Sequence, residues 1–559
     1  MATNTVRFGF LVVGTLVLGV TSCSGSDRTP GGGADGVGGT IVVASAGEPD
    51  HLFPPLVTTV AGKMVVDQIF DGLAALGPAG NTLGDAGFVP GVASDWKWSA
   101  DSSSIDFVID PRARFHDGRA VSASDVAFSY ALYMDPVVAS SHVSSFPGLD
   151  SLVAVDSVTV RAFYNERTPE RFFKLVTNLA VLPRHLLEGL DRAKLVESSF
   201  AQAPIGSGPF RFAKWGRGAS IDLTADTGRA QGRPAPDRVV FRYVSDLNAG
   251  AQSVVAGETD FVESARPEGL ALVTPELPVR AAEYPSPDHG YLLFNTRSVA
   301  NRKAPHPILG DREVRRALGM AIDRPAVVKN ALDSLARVSY GPFASSGWAA
   351  DTTIVQLPHD VEGARRLLEA AGWRDGDGDG VRERGGVALR FTLLVPSVSA
   401  TRRQMAVALQ EQLKQVGAEV VIDAPEPAVL FPRLTQGKFD AFIHVWHEDA
   451  TPTNVAQAWS GRDLERSANY GWYANTQVDS LIDSAGREPN REKAIGTYRR
   501  LYSMIVQDAP AVFLWEPRTF ALVHERIKFD ALSGNSWWMG IRSWRIPAAG
   551  RIPRDGPGT

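Results

Sequence analysis

The chain has 559 residues, 57 Lys and Arg against 62 Asp and Glu, a formal net charge of −5, and 44% hydrophobic and 21% charged residues. This is the composition of a globular protein, neither disordered nor membrane-embedded, and the lack of a basic run argues against a nucleic-acid partner. A body of this length exceeds one compact core, since single cores stop growing near ~250–300 residues, so two or more lobes are expected.

Arg7 is the only charged side chain before Asp27, and residues 8–20 form an apolar run. That run is too short for a bilayer span of roughly 20 residues and reads as the h-region of an export signal. Val20-Thr21-Ser22 then precedes Cys23, the single cysteine of the chain. The pattern predicts a lipoprotein signal over 1–22, cleaved before Cys23, which is then acylated. One cysteine precludes an internal disulfide. Residues 23–39 are Gly-rich without large apolar side chains and read as a flexible tether.

Strand-like runs follow at 40–44, 388–395, 419–423 and 439–446, and helix-like runs at 312–322, 361–371, 401–416 and 491–507. In the third helix Met405, Leu409 and Leu413 recur every four residues, with Gly417 as a stop. Ile105, Phe107 and Ile109 alternate with polar residues as in a half-buried strand. Phe115-His116-Asp117-Gly118 reads as a turn, and Ser122-x-x-Asp125 before an apolar run reads as a helix N-terminus. No internal period of roughly 20–50 residues points to a solenoid or propeller. The mixture supports α/β lobes without fixing their topology.

The segment 114–130, RFHDGRAVSASDVAFSY, resembles the F-x-D-G-x-x-x-x-A-x-D-V-x-F-S signature of the bacterial extracellular solute-binding proteins of family 5. Further landmarks stand in that family's order: WKWSADSSSIDF at 96–107, LPRH at 182–185, PIGSGPF at 204–210 with Ser for Thr, GETD at 257–260, YLLFN at 291–295, REVRRALGMAIDR at 312–324 and LLEAAGWRDGDGDG at 367–380. The resemblance implies an α/β, two-lobed periplasmic-binding-protein-like fold of class II type, with a ligand cleft between lobes and an extra subdomain in the first. Lobe I is expected over 40–285 plus 517–559, with its subdomain at about 60–203, and lobe II over 286–516. It also implies a lipid-anchored substrate-binding subunit of an ABC importer, monomeric, exported to the outer face of the cell membrane or the periplasm. Its partners would be a small peptide and the permease and ATPase subunits. A nickel chelate, an oligosaccharide or another small solute is the alternative ligand, and a receptor without transport the alternative role.

No nucleophile elbow, phosphate loop or H-E-x-x-H motif is present, and His524-Glu525 lacks the second His of a zinc site, so no enzyme, cofactor or metal is expected. Asp375-Gly-Asp377-Gly-Asp379-Gly380 begins like a calcium loop, but position 12 is Gly386 where an EF-hand needs Glu. A polar turn is expected there, with a weak Ca²⁺ site as the alternative. In peptide-binding members of the family a Trp is followed three residues later by an Asp that receives the ligand's α-ammonium. Trp446 and Asp449 stand in that relation, though Thr451-Pro452 departs from the usual acid-Pro, and a solvated acidic loop around Glu448 is the other reading. Asp449, Trp446, His447, Tyr470 and Trp472 form the candidate ligand set. His444 and His447 read as packing or loop residues rather than metal ligands. Trp459, Tyr473, Trp537 and Trp538 are core aromatics or pocket walls, and Asn469 a backbone-fixing residue.

Overall fold

The computed structural model describes residues 36–534 and 536–556. The expected leader, most of the tether and Cys23 lie outside the described residues. Residues 36–39, expected as the end of the tether, are hydrogen-bonded to the body instead. Ile546 N–H donates to Gly36 O, Gly38 N–H to Ala235 O, and the Arg551 guanidinium to Val37 O. Gly36, Gly38 and Gly39 all have positive φ. This lets their backbone lie against the C-terminal segment, where a Cβ would crowd Arg545 at Gly36, Arg551 at Gly38 and Ile546 at Gly39.

Two large sheets organise the molecule. The seven-stranded one runs, in spatial order, Val279–Tyr284, Thr519–His524, Phe261–Val262, Thr40–Ser45, Arg238–Tyr243, Ser220–Ala225 and Phe210–Gly216. The six-stranded one runs Ala336–Val338, Ala511–Pro517, Asp288–Phe294, Ala441–His447, Arg390–Leu394 and Glu419–Asp423. Each is the floor of its own apolar core, so the chain is two-lobed. A four-stranded antiparallel sheet, including Ala93–Trp98 and Ser104–Ile109, builds a third core beside the first lobe. The expected strand at 388–395 is broken at Leu389, because Val387–Ala388 pairs with the hairpin strand Glu383–Arg384 and only Arg390–Leu394 joins the large sheet.

The chain leaves the seven-stranded sheet after Tyr284 and enters the other at Asp288. It returns between Pro517 and Thr519 with only Arg518 between. Arg518 ties the two bodies together. Its guanidinium pairs with Glu283 at 2.6 Å and donates to Ser334 O at 2.9 Å, and its N–H donates to Leu335 O at 2.8 Å.

Local chemistry explains the landmark segments. Ile105, Phe107 and Ile109 are buried along Ser104–Ile109, and the Asp125 carboxylate accepts from Ser122 N–H at 2.9 Å to start the helix Ala123–Met134. The same carboxylate accepts from Arg184 N–H, and Asp117 pairs with His185 at 2.7 Å. His116 Nδ1 accepts from Gly206 N–H, so its Nε2 carries the proton and donates to Gly208 O at 3.1 Å. Gly206 is required because a Cβ there would sit 2.0 Å from Ile69 O. Three motifs distant in sequence thus form one joint between the subdomain and the first lobe.

Candidate functional site

The strand Ala441–His447 lies inside the six-stranded sheet, registered antiparallel to Asp288–Phe294 with His444 opposite Tyr291, Trp446 opposite His289 and His447 opposite Asp288. Alternation divides its side chains. Ala441 and Ile443 face the helices of the second-lobe core, while Phe442, His444 and Trp446 face a cluster of rings. There Tyr291 lies 5.3 Å from His444, 5.5 Å from Trp459 and 5.7 Å from Phe513, and Tyr470 lies 5.8 Å from His444.

Past the strand, Glu448 N–H donates to Pro287 O at 2.9 Å, which carries the sheet pairing one residue further. Glu448 therefore continues the inward face and is 2% exposed, whereas Asp449 points outward and is exposed. Glu448 Oε1 is 3.5 Å from His289 Nδ1, and its Oε2 has no hydrogen-bond partner. Burial pushes this carboxyl up to about 8, Asn454 and Trp446 restrain it, and the Asp449 and Asp288 charges push it further. Burial takes His289 down to about 3, with His444 lowering it further, so it is neutral, and neither ring nitrogen has a partner. Burial likewise takes His444 down to about 3.

This environment has a pH consequence. Glu448 ionises at an ordinary value of 4.5 when unfolded and at about 8 when folded. The folded state therefore holds a proton that the unfolded state lacks across that window, and stability falls as pH rises through it. Glu448→Gln removes the titration. Urea unfolding is expected to show the variant level with the wild type near pH 4.5 and more stable by about 2 kcal/mol at pH 9. Water reaching the ionised group is expected to keep the difference below the ~1.4 kcal/mol per unit limit. Equal stability at pH 9 would contradict the buried protonated state.

The loop 448–454 is also where the lobes meet. Thr453 Oγ1 donates to Glu170 Oε2 of the first lobe's subdomain at 2.6 Å, and Thr451 and Thr453 hydroxyls are 2.9 Å apart. Nearby, Trp348 Nε1 donates to Thr82 Oγ1 at 2.9 Å, Arg491 reaches Ala79 O at 3.2 Å, and Leu83 is buried among second-lobe aromatics. The lobes thus touch across the cleft, with Asp449 at the edge of the contact.

The predicted ligand set divides. Trp446, His447 and Asp449 share the strand end but not a face: Trp446 packs against the ring cluster, Asp449 points outward, and His447 is exposed with its Nδ1 2.7 Å from Asp288. That hydrogen bond raises the His447 pKa. Tyr470 joins them through His444. Trp472 faces elsewhere. It has φ of +53°, its carbonyl accepts from Thr296 Oγ1, its ring lies under the Arg302 guanidinium, and with Tyr470 it lines a surface depression of about 250 Å³. Asn469 fixes backbone, its Nδ2 donating to Ser460 O and Tyr473 O. Trp459 and Tyr473 are core residues of this lobe, and Trp537 and Trp538 of the other. Sequence reasoning missed Glu170 and His289. In the Asp375 turn, Asp375, Asp377 and Glu383 approach within 4.8 Å, and their oxygens accept from Gly376, Gly378, Gly380 and Asp379 N–H groups. Among the described residues no helix is long and apolar enough to cross a membrane.

Comparison with known proteins gives a consistent picture. The model of the family described as "Bacterial extracellular solute-binding proteins, family 5 Middle" matches residues 87–463. The oligopeptide-binding protein AppA of Bacillus subtilis is 27% identical over 94% of this chain and 97% of its own. The probable D,D-dipeptide-binding periplasmic protein DdpA of Escherichia coli is 25% identical over 87% of this chain and 90% of its own. The structure of AppA from Bacillus subtilis with a nonapeptide superposes with a TM-score of 0.67 at 25% identity, covering 92% of this chain and 100% of that one. HbpA2 from Haemophilus parasuis, 19% identical, shares the fold with a TM-score of 0.78 over 91% of this chain and 99% of its own.

Proposed function

The chain belongs to the bacterial extracellular solute-binding proteins of family 5, and from that membership we propose that it captures short peptides between its lobes and delivers them to the permease and ATPase subunits of an ABC importer. The observation that carries this reading is the exposed Asp449 carboxylate, three residues after Trp446, at the edge of the contact between Thr453 and Glu170. A peptide's α-ammonium leaving water needs such a partner, and a charge-assisted hydrogen bond is roughly twice as strong as a neutral one. Peptide main-chain groups are met by backbone donors and acceptors along cleft strands. Closure follows because a ligand touching both lobes has higher affinity for the closed form. AppA and DdpA, named for oligopeptides and a dipeptide, support a peptide over other solutes. The working protein is a monomer, exported by its 1–22 leader and held to a membrane by acylated Cys23.

Native mass spectrometry of the gently purified chain tests this, followed by denaturation to identify what it carries. A mixture of short peptides is expected. A sugar or a metal chelate in their place would sink the peptide reading while keeping solute capture.

A further inference from the structure

The contact between the lobes holds a second set of acceptors, separate from Asp449. Glu170 stands just before the helix Arg171–Asn178 and is 2% exposed. Its Oε2 accepts the Thr453 hydroxyl, but its Oε1 has no hydrogen-bond partner. Lys174 Nζ lies 3.9 Å from Oε2 and is itself about one-third exposed, so it compensates Glu170 only in part. Arg171 turns away, its guanidinium 4.1 Å over the Trp98 ring. On the facing loop, Glu448 Oε2 and Asn454 Oδ1 are also buried and make no hydrogen bond within normal geometry, although Asn454 and Trp446 lie close enough to the Glu448 carboxyl to favour its charged form in part. Buried acceptors left unmet cost about 1–3 kcal/mol each, and native proteins keep few of them.

We propose that Glu170 from one lobe, with Glu448 and Asn454 from the other, forms a pocket for an ammonium or guanidinium group of the ligand. The chemistry matches. An alkylammonium brings three donors and no acceptor, which suits the three unmet oxygens of Glu170, Glu448 and Asn454 once the Glu448 proton has left. Because its acceptors come from both lobes, such a cation is fully held only when the lobes touch, so its binding favours closure.

The surroundings supply little competing positive charge. Lys174, Asp449 and Tyr498 face Glu170. His289, Asp288, Asp449, Tyr291 and Tyr502 face Glu448. Of these only Lys174 is cationic at neutral pH, since burial keeps His289 neutral. Burial raises both carboxyls, Glu448 to about 8, so at neutral pH an arriving cation displaces the Glu448 proton.

This pocket rests on the peptide reading for its ligand and adds a side-chain preference to it. Isothermal titration of the purified full chain tests it with Lys-Ala-Ala, Ala-Lys-Ala and Ala-Ala-Lys, each against its norleucine counterpart. At least one Lys peptide is expected to bind about tenfold or more tighter than its counterpart. It should also release about one proton, read from the dependence of the heat on buffer ionisation. Glu170→Gln, which keeps the side-chain size, and Glu448→Gln are each expected to erase that preference by lowering the affinity of the Lys peptide toward that of its norleucine counterpart, with a cooperative unfolding transition showing that the variant is folded. Equal affinities within every pair, or a preference that survives both substitutions, overturn the pocket and leave peptide capture standing. If no tripeptide binds, the co-purified solute decides the peptide reading and 1,5-diaminopentane decides the pocket alone. Binding of that diamine that Glu170→Gln abolishes upholds the pocket for free amines, and no binding overturns it.

Discussion

Asp449→Asn is expected to weaken binding of a free-amino peptide by about 10- to 100-fold, because a hydrogen bond to a charged group contributes about 1.5–3 kcal/mol and each 1.4 kcal/mol is tenfold. The substitution keeps the shape of the side chain and removes its charge. Asp449 is exposed and makes no hydrogen bond that holds the loop in place; the loop is pinned instead by Glu448 N–H on Pro287 and by Thr453 on Glu170. The fold should therefore survive, and the melting temperature of the unliganded chain should stay within a degree or two. N-acetylated peptides provide the control, since they lack the ammonium and should bind both forms alike. Titration calorimetry on the free and acetylated pair separates the cases. A variant that binds the free peptide as tightly as the wild type would remove Asp449 from the site.

The largest expected loss of stability lies far from the cleft, at Asp260. Its side chain is 0% exposed, and its two oxygens accept from Val42 N–H at 2.8 Å, from Arg526 Nε at 2.6 Å and from Arg554 Nη2 at 2.5 Å. Arg526 in turn pairs with Asp555 at 2.6 Å and donates to Thr40 O at 2.6 Å. This network fastens the C-terminal segment to the strand Thr40–Ser45. Asp260→Asn leaves Arg526 with Asp555 as its remaining carboxylate and turns an uncharged amide toward both guanidinium groups, so the cost is expected at about 3 kcal/mol, the lower end for breaking a buried pair from one side. Urea unfolding at neutral pH measures it, and a loss below about 1 kcal/mol would show the network to be dispensable. Peptide affinity of the folded fraction should be unchanged, since the network touches no residue of the cleft.

Much of this was legible in residue order, because local patterns report local structure. The helix expected at 491–507 is Arg491–Asp508, that at 361–371 is Val361–Ala370, and the strand at 419–423 is Glu419–Asp423. Each has its own periodicity and an Asn490 or Asp360 cap on the two helices. Trp446 and Asp449 were visible through a family pattern. Which acid of the pair Glu448-Asp449 is buried was not read, yet the signal was there: carrying the alternation of Phe442, His444 and Trp446 one step further puts Glu448 on the ring-lined face. Glu170 had no comparable signal. It sits outside any periodic run and meets Thr453 across 283 residues of sequence, and proximity of that kind depends on how two lobes close rather than on any local preference.

The return crossing between the lobes also limits what the cleft can do. One residue, Arg518, separates the strands Ala511–Pro517 and Thr519–His524, and three residues separate Val279–Tyr284 from Asp288–Phe294. Two such short, adjacent ribbons bend readily about the line that joins them but resist twisting and sliding, as a door does on its pins. Lobe movement therefore reduces to a single opening angle. The two crossings lie side by side, Tyr284 pairing with Thr519, so any such opening is carried by the four residues 285–287 and Arg518 and leaves both sheets unchanged.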